Sequence, residues 1–163
     1  MQPPVLETVP DRHLAGMKIE TCIAEGRAGE LWGSFMPRRF ELTNKESEHL
    51  FNVNVYSLDF DPYQFTPLTR FTQWAAMEVS QGSKAPVSMF SMVLKGGVYA
   101  VFIHKGPAAD FPQTVTYIYE DWMPGSGYRY DNQRPSFEIM DETYKGPLHQ
   151  DSEEKVYIPV VAV

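Results

Sequence analysis

The order strand, helix, strand, strand is written twice along this 163-residue chain, and that repetition constrains the fold more than any single motif. The second copy is the clearer. Tyr99, Val101 and Ile103 alternate with Ala100, Phe102 and His104, the period of a strand. Lys105-Gly106-Pro107 interrupts it. Asp110 can cap the next helix, with Gln113 three residues on as the returning half of a capping box. Phe111, Val115, Ile118 and Trp122 then fall at helical spacing, which predicts a helix over 110–123, ended by Pro124-Gly125. Strands over 136–141 and 155–162 complete this copy.

The first copy has a strand from Leu14 to Thr21 and a helix near 28–37, whose apolar stripe is Leu31, Trp32, Phe35 and Met36. Strands from Val53 to Leu58 and from Phe71 to Val79 follow. Val87–Leu94 reads as one more short strand. Residues 1–11 carry three prolines and read as an arm or an edge segment. The rest, 12–163, is one domain. Two β-α-β-β units that pair their strands give an α+β fold. Its antiparallel sheet carries both helices on one face, related by a pseudo-twofold, with a ligand cleft between them.

Charge narrows the partners. A net charge of −7 repels phosphate backbones, so direct nucleic-acid binding is not expected, whereas cations are attracted. One cysteine, Cys22, excludes an intrachain disulfide and fits a reducing compartment. The first residues show no signal peptide, and no apolar run is long enough to span a membrane. A cytoplasmic protein is expected. His13, His49, His104 and His149 show no metal-ligand spacing, so no metal and no cofactor are expected. GSGY at 125–128 is a turn with no strand leading into it, so it is not a nucleophile elbow.

One acid stands out. Glu138 lies in the strand RPSFEIM, with Ser136 and Met140 on its side and Phe137 and Ile139 on the other. A carboxylate in an aromatic cleft gains strongly from an organic cation, because both are desolvated together. The same burial raises its pKa, which suits a general base equally well.

GELWGSFMPRRFELTN at 29–44, FTQWAAMEV at 71–79, GGVYAVFIHKGPA at 96–108, YIYEDWMPGSGY at 117–128, RPSFEIM at 134–140 and EEKVYIPV at 153–160 resemble the GyrI-like, or AraC-type, effector-binding domain. The resemblance runs from about Val9 to the C-terminus. It extends to integron cassette proteins that bind drugs. It implies a small-molecule sensor for cationic or aromatic ligands, of the kind that follows a DNA-binding module in drug-responsive transcription regulators. No helix-turn-helix precedes it here, so the sensor half alone is expected.

The resemblance also places the family's acidic ligand contact at Glu138, in the pair Phe137-Glu138. It puts the aromatic wall at Trp32 and Trp122, with Tyr56 and Trp74 added from strand position. Some stand-alone relatives hydrolyse strained cyclopropane compounds, so a hydrolase using Glu138 as catalytic base is the rival expectation. A gyrase-inhibitor-like module that binds a protein partner in the cleft is a third.

Overall fold

A computed structural model describes all 163 residues. The strands are β1 (Val5–Val9), β2 (Arg12–Thr21), β3 (Leu50–Val55), β4 (Phe71–Glu78), β5 (Phe90–Leu94), β6 (Gly97–Lys105), β7 (Tyr128–Tyr130), β8 (Ser136–Met140) and β9 (Glu153–Ala162). The helices are α1 (Ala28–Phe35) and α2 (Phe111–Thr116). Eight strands form one antiparallel sheet in the order β1-β6-β9-β8-β3-β4-β2-β5, and β7 pairs with β9.

That order is the pseudo-twofold expected from the repeated elements. β3 and β8 meet at the centre, β4 and β9 flank them, β2 and β6 come next, and β5 and β1 lie outermost. The segment read as an arm or edge supplies β1, which pairs with β6. β1 and β2 face β6 and β5 in one register, with Val9 opposite Gly97 and Arg12 opposite Leu94. The two ends of the sheet are thus tied by one ribbon, and the sheet curls on itself.

The curl makes two apolar layers. Inside it lie Leu14, Phe51, Val53, Trp74, Tyr99, Phe137, Ile139 and Tyr157. Phe137 stacks on Tyr157 with ring centroids 4.5 Å apart. Each such side chain contributes about 1.5–3 kcal/mol on leaving water. Gly16 lets β2 pass close over β4, since a Cβ there would meet the Ala75 carbonyl oxygen at 2.0 Å.

On the outer face, Leu31 and Phe35 of α1 cover Ala15, Ala75 and Met77. Ile118, in the extension of α2, covers Ala100, Phe102, Val156 and Ile158 with Met123. Ala75 pairs with Asn52, Asn52 with Glu138, and Glu138 with Val156. Cross-strand partners share a face. The row therefore runs from beneath α1 to beneath α2 on one side of the sheet, with Asn52 and Glu138 midway.

Helix ends differ from the sequence reading. Asp110 makes no side-chain cap, because a 3-10 turn over Ala108–Asp110 already leads into the helix. The helix then widens to a π-helix over Tyr117–Trp122 and tightens to 3-10 over Met123–Gly125. Such widenings are frequent at functional sites. α1 passes into a 3-10 turn, Met36–Glu41, where Pro37 enters.

Candidate functional site

The centre of the outer face is where two strands run between the helices without a helix directly above them. Valines and aromatics of β3 and β8 point into the curl, so their alternate residues, Asn52, Asn54, Ser136 and Glu138, form the floor of the cleft. A polar floor under an aromatic wall is the arrangement that fixes a ligand's orientation.

Glu138 is half-buried and accepts a hydrogen bond from Asn52 Nδ2 at 3.1 Å. The Asn52 amide is itself fixed. Its Oδ1 accepts from Trp32 Nε1 at 3.2 Å and from Gln73 Nε2 at 2.7 Å. Two donors on the oxygen leave the amide nitrogen to face Glu138. α1, β4 and β3 thus converge on one carboxyl of β8. Burial, with Glu154 nearby as a second acid, pushes the Glu138 carboxyl up to about 8, although the Asn52 bond pulls the other way.

Aromatic side chains wall the site. Tyr56 stacks on Phe60 at 4.0 Å and meets Phe71 at 5.3 Å. Phe60 lies edge-on to Tyr130 at 5.6 Å, and Tyr63 edge-on to Tyr119 of the π-helical turn at 6.2 Å. Burial raises the phenols of Tyr56, Tyr119 and Tyr130 above their ordinary value; Tyr56 and Tyr119 also feel Glu138. All three remain neutral rings with a polar tip. The loop after β3 lies across this end of the cleft, and Asn132 donates to the Leu58 carbonyl. Two hollows open there. One of about 80 Å³ is lined by Tyr56, Tyr130 and Arg134, and one of about 210 Å³ by Phe60, Tyr63, Arg129 and Tyr130.

The sequence-predicted residues divide accordingly. Glu138, Trp32 and Tyr56 come together on the cleft face. Trp74 and Phe137 do not. Both point into the curl among the buried core, because they alternate with Gln73 and Glu138 on their strands. Trp122, at the end of the π-helical turn, is half-buried against the core under that turn, edge-on to Phe102 at 5.3 Å and parallel to Tyr128 at 6.5 Å. The residue of that turn that meets the aromatic wall is Tyr119.

Asn52, Gln73, Tyr119 and Tyr130 join the candidate site in the structure, and sequence reasoning missed them. For Asn52 a signal existed: two asparagines alternate with valines on a central strand. Tyr119 carried none, because a widened helical turn rotates its residues off the regular period. No group of side chains has the makings of a metal site. No helix is long and apolar enough to cross a membrane.

The model of the GyrI-like small molecule binding domain matches residues 2–161. The transcriptional regulator BrlR of Pseudomonas aeruginosa is 28% identical over 151 residues, which are 93% of this chain and 53% of that protein. The chain thus spans about half the length of that relative. SAV2435, in a structure bound to tetraphenylphosphonium, superimposes with a TM-score of 0.72 at 13% identity, covering 98% of this chain and 94% of that one. The C-terminal domain of EcmrR gives a TM-score of 0.69 at 11% identity over 98% and 97%. At these identities the two structures establish the shared fold. The family match spans both repeats and the cleft between them: this chain belongs to the GyrI-like small molecule binding domain family.

Proposed function

We propose that the cleft between α1 and α2 binds a small aromatic cation, with Glu138 as its anchor. The observation that carries this reading is the Glu138 carboxyl itself. It is half-buried, oriented by Asn52, flanked by tyrosines, and joined to no cationic side chain of its own chain. An organic cation would supply the missing counter-charge, and each ring face would add about 0.5–2 kcal/mol of cation–π attraction. That SAV2435 has been seen with tetraphenylphosphonium supports a ligand of this class.

A role inside the cytoplasm goes with this proposal, since Cys22 is buried and unpaired. The acidic net charge argues against direct contact with nucleic acid. Thermal unfolding with tetraphenylphosphonium and with neutral triphenylphosphine oxide tests the class. The cation should raise the melting temperature in proportion to the logarithm of its concentration. No shift with the cation, or an equal shift with the neutral compound, contradicts the reading.

A hydrolytic role draws on the same carboxyl: burial and the nearby Glu154 push Glu138 up to about 8, within the range a general base near neutral pH would need. Turnover of a strained cyclopropane substrate that is lost in Glu138→Gln would establish it.

A further inference from the structure

The floor of the cleft does not end at Glu138. Glu138 of β8 pairs with Val156 of β9, and Glu154 lies two residues along β9 from that partner, on the same face. Such diagonal neighbours are roughly 7–8 Å apart. Glu154 is half-buried. Neither carboxylate takes part in any ion pair of the chain.

The basic group beside Glu154 is His104, its cross-strand partner on β6. That imidazole is already engaged. Nε2 lies 3.1 Å from the Pro107 carbonyl, which can only accept, so Nε2 carries the proton; Nδ1 lies 2.7 Å from the Thr114 hydroxyl. The ring is buried and held by its own loop and helix. Two carboxylates thus share one cleft floor with no guanidinium or ammonium between them. The groups that face them are Tyr56 and Tyr119 from the wall, Tyr144, and His104.

We infer that Glu154 is a second anionic subsite, and that the cleft selects aromatic dications whose charges are spaced to reach both Glu138 and Glu154. This rests on the cleft being the binding site and adds a charge count to it. A monocation neutralises one carboxylate and leaves the other facing it unpaired. A dication whose second charge lies one side-chain length from its ring system satisfies both.

Ethidium and propidium provide the matched pair: one phenanthridinium ring system, with one positive charge or two. Both are titrated at low salt and pH 9, above the Glu138 value, into the wild type, Glu154→Gln and Glu138→Gln. In the wild type propidium should bind roughly tenfold more tightly than ethidium, the scale of one added charge-assisted contact. In Glu154→Gln that preference should vanish, because propidium loses about tenfold more affinity than ethidium does. Propidium binding no tighter than ethidium in the wild type, or a preference that survives in Glu154→Gln, overturns the second subsite. The wild-type comparison stands even if the variant folds poorly. Ethidium binding the wild type and Glu138→Gln equally would instead overturn the cleft reading beneath it.

Discussion

Asn52 and Glu138 face each other across the β3–β8 pair at the centre of the sheet, amide nitrogen to carboxylate oxygen at 3.1 Å. The amide can only donate to the carboxylate, because Trp32 and Gln73 occupy its oxygen. The bond therefore favours the ionised acid. Asn52→Leu should raise the Glu138 pKa further and weaken cation binding at pH 7 about tenfold, the scale of a hydrogen bond to a charged group. The loss should shrink at pH 9.5. Titration at both pH values checks this; a loss independent of pH would point to altered packing instead.

The Glu138 value of about 8 sets two slopes. A permanently charged cation binds the ionised acid, so its affinity should rise by up to tenfold per pH unit from 6 toward 8 and level off above it. Stability should move oppositely. Between the ordinary carboxyl range and about 8 the unfolded chain has lost the proton and the folded chain keeps it, so stability falls as pH rises through that window. Glu138→Gln should flatten both curves. Glu154 perturbs the same titration, and Tyr56 and Tyr119 stay protonated throughout.

Arg134 holds the loop that lines the smaller hollow. Its buried guanidinium donates to Asp131 at 2.8 Å, to the Val98 carbonyl at 2.9 Å and to the Val160 carbonyl at 3.0 Å, and lies over the Tyr99 ring. Gly97 makes room for it: a Cβ there would meet the guanidinium at 2.6 Å, and the backbone sits at φ +133. Arg134→Met should cost about 2–4 kcal/mol in denaturant unfolding, because three acceptors lose a charged donor together. A cost under about 0.5 kcal/mol would make the cluster ornamental.

Two tryptophans should separate site from core. Trp32→Phe keeps a ring on α1 and removes the N–H that holds Asn52, so cation affinity should fall about threefold to tenfold with little change in stability. Trp74→Phe should do the reverse. It should cost about 1–2 kcal/mol of stability and leave affinity unchanged, since Trp74 faces the curl. Equal effects of the two on binding would mean that the cleft and the curl are not independent.

The architecture was legible because both copies carry their own punctuation: period-2 strands, one apolar helical stripe each, and Gly or Pro at the breaks. The face of Glu138 was legible for the same reason, and the same alternation assigns Phe137 to the opposite side. Trp74 was misplaced because the alternation of β4 was visible but not which face the helices would cover. The aromatic wall was hidden for a different reason. Phe60 and Tyr63 come from an aperiodic loop, and Tyr130 from a three-residue strand. Their approach depends on the curl of the sheet, which no local pattern records. Glu154 was obscured by its neighbours Glu153 and Lys155, a charged run that ordinarily marks a solvated surface.

The central claim is that Glu138 anchors a cation, and calorimetric titration of the wild type and Glu138→Gln with tetraphenylphosphonium and triphenylphosphine oxide at pH 8.5 tests it most directly. The substitution keeps the shape and removes the charge. The cation should bind the variant roughly 10- to 150-fold more weakly, corresponding to about 1.5–3 kcal/mol, while the neutral compound changes little and the variant melts no lower than the wild type. Equal affinity of both proteins for the cation would contradict the account.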